Sequence, residues 1–305
     1  MKSIYLHIGL PRCASTLIEE VFNGPQYDLY KALRASGIKP LTHLYRELRK
    51  GVARPKWGET LLTKLREQYI LPLVNDSDYG DSSRGYFVTD EGLTFVNDKK
   101  GNRGVHGDRA PFMARLLEGF QARVILIVRN QVSYIESCYG LHIQNGGKLD
   151  FETYFRDFPL ENLDWLDVAD TFAQVFGEQQ VSVFPFEPRC YDAEDVPYAN
   201  FMDAICKAMG IEQPVDMERL PLANPSLDPK LLPAQLEINR TFEPETASEI
   251  RKILCRAVPK PRGASPSLLR GEEIESVRRR YAETNNLMFD RYMPQFDRTP
   301  YMPAG

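Results

Sequence analysis

Apolar residues in this chain fall into two rhythms. Short, nearly unbroken runs begin at Ile4 and occupy Gly85–Thr89, Arg123–Val128 and Gln180–Phe186. Such runs predict strands buried on both faces. Between them the apolar positions recur every three or four residues, which predicts helices. One helix is expected from Ser15 to Phe22, with Leu17, Ile18, Val21 and Phe22 on one side and Asn23-Gly24-Pro25 as its stop. Others are expected over 27–36, over 43–74 as two helices broken near Arg54-Pro55, over Phe112–Phe120, and over 163–176, 198–209 and 271–292. Gly37 leads into a short edge at Ile38–Leu41. Polar or proline-rich segments at Asn75–Ser83, Asn97–Arg109, 214–233 and 258–266 read as surface loops. Alternating strands and helices imply an α/β fold with a central, mostly parallel sheet flanked by helices.

Directly behind the first apolar run stands His7-Ile8-Gly9-Leu10-Pro11-Arg12-Cys13-Ala14-Ser15-Thr16. It reads as a strand, a tight turn and a helix start. Small residues at Gly9, Cys13, Ala14 and Ser15 let backbone approach a ligand, and the first N–H groups of the helix lack intrahelical acceptors. That is a cradle for an anion. A nucleotide-triphosphate loop needs a lysine immediately before its Ser/Thr, but here Ala14 precedes Ser15 and the basic residue comes earlier, at Arg12. The strand Val124–Val128 ends in Arg129, where a magnesium-holding strand would end in aspartate. A phosphorylated ligand without a metal-bound triphosphate is the expectation.

Composition narrows the setting. The chain has 305 residues and a formal net charge of −4, which gives no support to nucleic-acid binding. No apolar stretch approaches the roughly 20 residues needed to span a bilayer, and no signal-peptide pattern precedes the first strand. A soluble, cytoplasmic protein without membrane contact is expected. Cysteines at 13, 138, 190, 206 and 255 show neither metal-type pairs nor a regular framework, so reduced thiols and no metal site are expected.

Two of these segments carry a family resemblance. The turn Pro11–Thr16 resembles the 5′-phosphosulfate loop of sulfotransferases that use 3′-phosphoadenosine 5′-phosphosulfate (PAPS), with Arg12 in place of the usual lysine. The segment from Val128 to Ser137 is similar to the same family's 3′-phosphate site, in which an arginine at a strand end is followed eight positions later by a serine. Arg84–Leu93 and Asn145-Gly146-Gly147 resemble the bacterial-type branch, and Lys260-Pro261-Arg262-Gly263 is similar to a basic loop that closes over the 3′-phosphate.

The resemblance implies a three-layer P-loop NTPase-like fold in a single domain over 1–305, with a helical insertion at about 43–83. A helical region at about 215–305 would cover the site. PAPS is the implied co-substrate, bound by Pro11, Arg12, Cys13, Ala14, Ser15, Thr16, Arg129, Ser137, Arg262 and Gly263, with a hydroxyl of a carbohydrate or small polar metabolite as acceptor. Arg12 would stabilise the leaving oxygen. Glu91, His43 and His106, in that order, are candidates for the general base.

Blander readings stand beside these. Arg12 and the 260–263 turn could be solvated, Ser15 and Thr16 could simply cap a helix, and Ser137 or Ser133 could be ordinary helix residues. A small-molecule kinase and a catalytically inactive nucleotide-binding protein are the competing functions. Acceptor identity and oligomeric state are not encoded in any motif.

Overall fold

A computed structural model describes residues 2–10, 12–14, 17–18, 22, 37–41, 44, 58–75, 85–89, 95–97, 103–105, 109–191, 199–211, 227–258 and 267–304. Strands β1 (Ser3–Gly9), β2 (Ile38–Pro40), β3 (Gly85–Thr89), β6 (Gln121–Val128) and β7 (Val181–Pro185) form one sheet in the order β2-β3-β1-β6-β7. Every pairing in it is parallel. β1 is central, with His7 opposite both Thr89 and Ile125, and Gly9 opposite Ile127. β6 starts with partly exposed residues and then buries Val124 to Val128 without a break, as a strand covered on both faces must. β4 (Phe95–Asn97) and β5 (Arg103–Val105) pair antiparallel apart from the sheet. The segment read as a polar loop from Asn97 to Arg109 therefore contains a strand. Its pairing is made by backbone groups, and the apolar pattern gave no sign of it.

Helical segments are α1 (Glu59–Leu65), a π-helical stretch at Arg66–Ile70, α2 (Leu71–Asn75), α3 (Ala110–Leu116), α4 (Gln131–Gln144), α5 (Phe151–Arg156) and α6 (Trp165–Phe176). They continue with α7 (Ala199–Ala208), α8 (Leu232–Thr241), α9 (Pro244–Ala257) and α10 (Gly271–Tyr292). α6 shows why such segments fold. Asp164 Oδ1 accepts from the N–H groups of Leu166 at 3.0 Å and Asp167 at 3.3 Å. Trp165, Val168, Ala169, Phe172 and Ala173 then bury one stripe, and Gly177 at φ +93° ends the helix.

The loop expected over 214–233 is corrected over its described part. Pro229 opens a 3₁₀ turn and Pro233 lies in the first turn of α8, where a missing N–H costs no intrahelical bond. Leu227 and Leu232 are buried there, against Tyr139, Ile143 and Leu236. The main core joins the sheet to α3, α4, α6, α7 and α10. Among the described residues no helix is long and apolar enough to cross a membrane.

Candidate functional site

After β1 the chain passes to β2 and β3 on one side of the sheet, and after β6 it passes to β7 on the other. The chain therefore leaves β1 and β6 in opposite directions, which makes the carboxyl ends of these two adjacent strands the switch point of the sheet. In open parallel sheets ligands bind there.

The first loop is shaped by backbone. Cys13 N–H donates to the Leu10 carbonyl at 3.1 Å, closing a turn in which Arg12 holds φ +71°. That position of a type II turn ordinarily takes glycine. Ala14 also has positive φ, +60°, and its carbonyl accepts the helical bond of Ile18 N–H at 2.9 Å. Left-handed backbone at an arginine and an alanine costs about 1–2 kcal/mol each, and such strain concentrates at functional sites. Cys13 is wholly buried and its amide serves the turn, so what it gives the loop is shape.

The second loop is shaped by side chains. Arg129 Nε donates to Ser133 Oγ at 3.1 Å, and Nη1 donates to the Arg12 carbonyl at 2.9 Å, tying the two loops together. The guanidinium carbon lies 5.4 Å from the ring centre of Phe186. Among the described residues its Nη2 has no hydrogen-bond partner. Asn130 caps α4, its Oδ1 accepting from Ser133 N–H at 3.2 Å.

One turn further along α4, Ser137 Oγ accepts from Arg12 Nε at 3.0 Å. The two serines stand four residues apart, on one helix face, and each takes one arginine. The sequence resemblance selected Ser137; the structure places Ser133 on Arg129 and Ser137 on Arg12. Arg129 and Ser137, 117 and 125 positions beyond Arg12, thus converge with it at one edge.

Three further groups at this edge left little trace in the sequence. Glu187 follows β7; its Oε1 accepts from Asn130 N–H at 2.6 Å and lies 3.1 Å from Ser133 Oγ, while its Oε2 accepts from the Tyr301 hydroxyl. Burial pushes this carboxyl above its ordinary range, against the opposing pull of the Tyr301 hydroxyl, the Arg129 charge and the Asn130 N–H. Trp165 is 1% exposed, and its Nε1 donates to the Arg129 carbonyl at 2.7 Å. Tyr301 is fully buried, and its hydroxyl also lies 3.3 Å from the Val128 carbonyl. A polar residue just past an apolar strand could have marked Glu187. Nothing local marks Tyr301.

His7 lies on β1, wholly buried, with Nδ1 2.8 Å from Thr89 Oγ1. Among the described residues its buried Nε2 has no hydrogen-bond partner, and burial drives its pKa down to about 3, so the ring is neutral at physiological pH. Pro11, Ser15, Thr16, His43, Glu91, His106, Arg262 and Gly263 lie outside the described residues. Among the described residues no group of three or more His, Cys, Asp or Glu could hold a metal ion. The described site sets two cationic arginines near the Glu187 carboxyl and presents donors at the sheet edge, an arrangement that favours an anion.

No family model matches the chain, and no curated protein sequence matches it. Among solved structures, a sulfotransferase from Alicyclobacillus acidocaldarius is similar over 82% of this chain and 95% of its own, at 16% identity and a TM-score of 0.39.

Proposed function

We propose that this protein is a PAPS-dependent sulfotransferase acting on a hydroxyl of a carbohydrate or other small polar metabolite. One observation carries the reading: Arg12, in a turn position suited to glycine, is held by Ser137 through its side chain and by Arg129 through its carbonyl. The two motifs that resemble the 5′-phosphosulfate and 3′-phosphate sites therefore meet at the switch point of the sheet. The donor set fits a ligand with two anionic groups, because Arg12, Arg129 and Ser137 all offer N–H or O–H and Arg129 Nη2 is unengaged among the described residues.

When bound, PAPS supplies an activated sulfuryl group. Arg12 would stabilise negative charge growing on the departing oxygen; its guanidinium stays charged throughout and delivers no proton. Ser137 holds the plane of Arg12 through Nε. Arg129 would hold the second anionic group; among the described residues no carboxylate pairs with it directly. A base must take the acceptor's proton, and Glu91 is the first candidate, followed by His43 and His106.

Calorimetric titration tests the donor assignment. Wild type should bind adenosine 3′,5′-bisphosphate at least tenfold more tightly than adenosine 5′-phosphate. Arg129→Ala should erase most of that difference and Ser137→Ala part of it, since a charge-assisted bond is worth roughly 1.5–3 kcal/mol and a neutral one about 1. Equal binding of the two nucleotides, or tighter binding of ATP with magnesium, would sink the assignment in favour of a kinase. Tight binding of the bisphosphate without sulfuryl transfer to any acceptor hydroxyl would leave an inactive binding protein.

A further inference from the structure

Ser133 has one hydroxyl proton and two jobs. Its oxygen accepts from Arg129 Nε at 3.1 Å, so its own proton must go elsewhere. Two acceptors stand at 3.1 Å, the Asn130 carbonyl and Glu187 Oε1. When ionised the carboxylate is the stronger acceptor, and a hydroxyl that donates to it turns a lone pair toward Arg129. Glu187 is itself fixed from two sides, by Asn130 N–H at 2.6 Å and by the Tyr301 hydroxyl. Tyr301 is held in turn: Asn285 Nδ2 donates to its carbonyl at 3.2 Å, and Asn285 and Gln131 exchange amide bonds at 2.9 and 3.1 Å inside the core. The neighbouring Pro300 carbonyl accepts from Asn130 Nδ2.

We propose that Glu187 and Tyr301 are positioning residues that act through Ser133 on Arg129, fixing the Nε edge of its guanidinium and leaving Nη2 for an anionic oxygen of a phosphate monoester. A hydroxyl between carboxylate and guanidinium has a specific advantage. Direct pairing would satisfy Arg129 internally and make a ligand phosphate compete with Glu187. Through Ser133 the carboxylate orients the arginine and leaves Nη2 to the ligand. Arginine has a long, flexible stem, and orienting it before the ligand arrives reduces the ordering that binding must impose.

The inference rests on Arg129 being the anion-binding group of the proposed site, so two readouts are needed. The first is the ratio of affinities for adenosine 3′,5′-bisphosphate and adenosine 5′-phosphate. Glu187→Ala and Ser133→Ala should each lower it about tenfold, with little change in adenosine 5′-phosphate affinity. Glu187→Gln keeps an acceptor at Oε1 and should stay within about threefold of wild type. Adding Glu187→Ala to Arg129→Ala should cost nothing further, because the carboxylate acts through the arginine. The second readout needs no ligand: the Nε–H resonance of Arg129, identified by its loss in Arg129→Lys, should exchange slowly in wild type and fast in Glu187→Ala.

If Glu187→Ala does not fold, Ser133→Ala and Glu187→Gln carry both measurements. Unchanged Nε–H protection in a folded Glu187→Ala or Ser133→Ala protein overturns the relay, as does a full additional loss in the double variant. Equal wild-type affinities for the two nucleotides defeat the donor reading instead, and the Nε–H exchange then decides the relay by itself.

Discussion

The two loops at the carboxyl edge hold their arginines in opposite ways. Arg12 is placed by its backbone: a turn closed between Leu10 and Cys13 sets it at positive φ, and its side chain then reaches Ser137, 125 positions away. Arg129 is placed by a web of partners: Ser133 and Asn130 at the start of α4, and, from farther along the chain, Glu187 beyond β7, Trp165 on α6 and the Pro300–Tyr301 segment. The first loop stores backbone strain. The second distributes its constraint over several partly buried hydrogen bonds that depend on one another. A ligand clamped between them would thus meet one arm that is stiff by conformation and one that is stiff by packing.

The largest contrast should appear in catalysis. If Arg12 works on the departing oxygen, Arg12→Ala should lower turnover by about 10²–10³-fold while binding of adenosine 3′,5′-bisphosphate changes much less. Single-turnover rates and calorimetry on the same protein check it, and an unaltered rate in a folded variant removes Arg12 from the chemistry.

Next comes pH. His7, on the strand that feeds the first loop, has a folded pKa of about 3 against 6.5 unfolded, so the unfolded state binds more protons between those values. Stability should fall as pH drops through this window, by up to a few kcal/mol. Glu187, behind the second loop, is shifted upward, so the folded state binds more protons just above 4.5 and stability falls as pH rises there. Denaturant midpoints across pH 3–7 should show His7→Gln flattening the acid loss and Glu187→Gln flattening the opposite slope. Parallel profiles for both variants and wild type would contradict the two burials.

Smaller effects separate packing from strain. Trp165→Phe removes the donor to the Arg129 carbonyl and should cost about 1–2 kcal/mol in chemical denaturation, since a partly buried carbonyl loses that donor. On the first loop, Arg12→Gly should be more stable than Arg12→Ala by about 1 kcal/mol, reversing the usual order, because only glycine adopts a φ near +71° without strain. Equal stabilities would mean that this turn stores no strain.

How much was legible in the sequence follows the same division. The strands at Gly85–Thr89 and Val124–Val128 and the helix at 271–292 were written in apolar runs and in 3.6-residue spacing, and the structure has them at those positions. The helix at Leu232–Thr241 was obscured because Pro233, a breaker inside a helix, is harmless in its first turn. The β4–β5 hairpin was obscured because its pairing is made by backbone groups.

By itself the sequence determined which residue types stand at strand ends: an arginine after β1 and another after β6, each followed by a helix. Those placements depend on periodicity and on neighbours a few residues away, which the chain spells out. Only the tertiary structure decided that Ser133 would hold Arg129 while Ser137 holds Arg12, and that Glu187 and Tyr301 would stand behind them. The physical reason is that a hydrogen bond is fixed by distances of about 3 Å, and all of these but the Arg129–Ser133 bond join groups 54 to 125 positions apart. Those distances exist only once β1, β6 and β7 lie side by side and α10 has brought Tyr301 under the sheet edge.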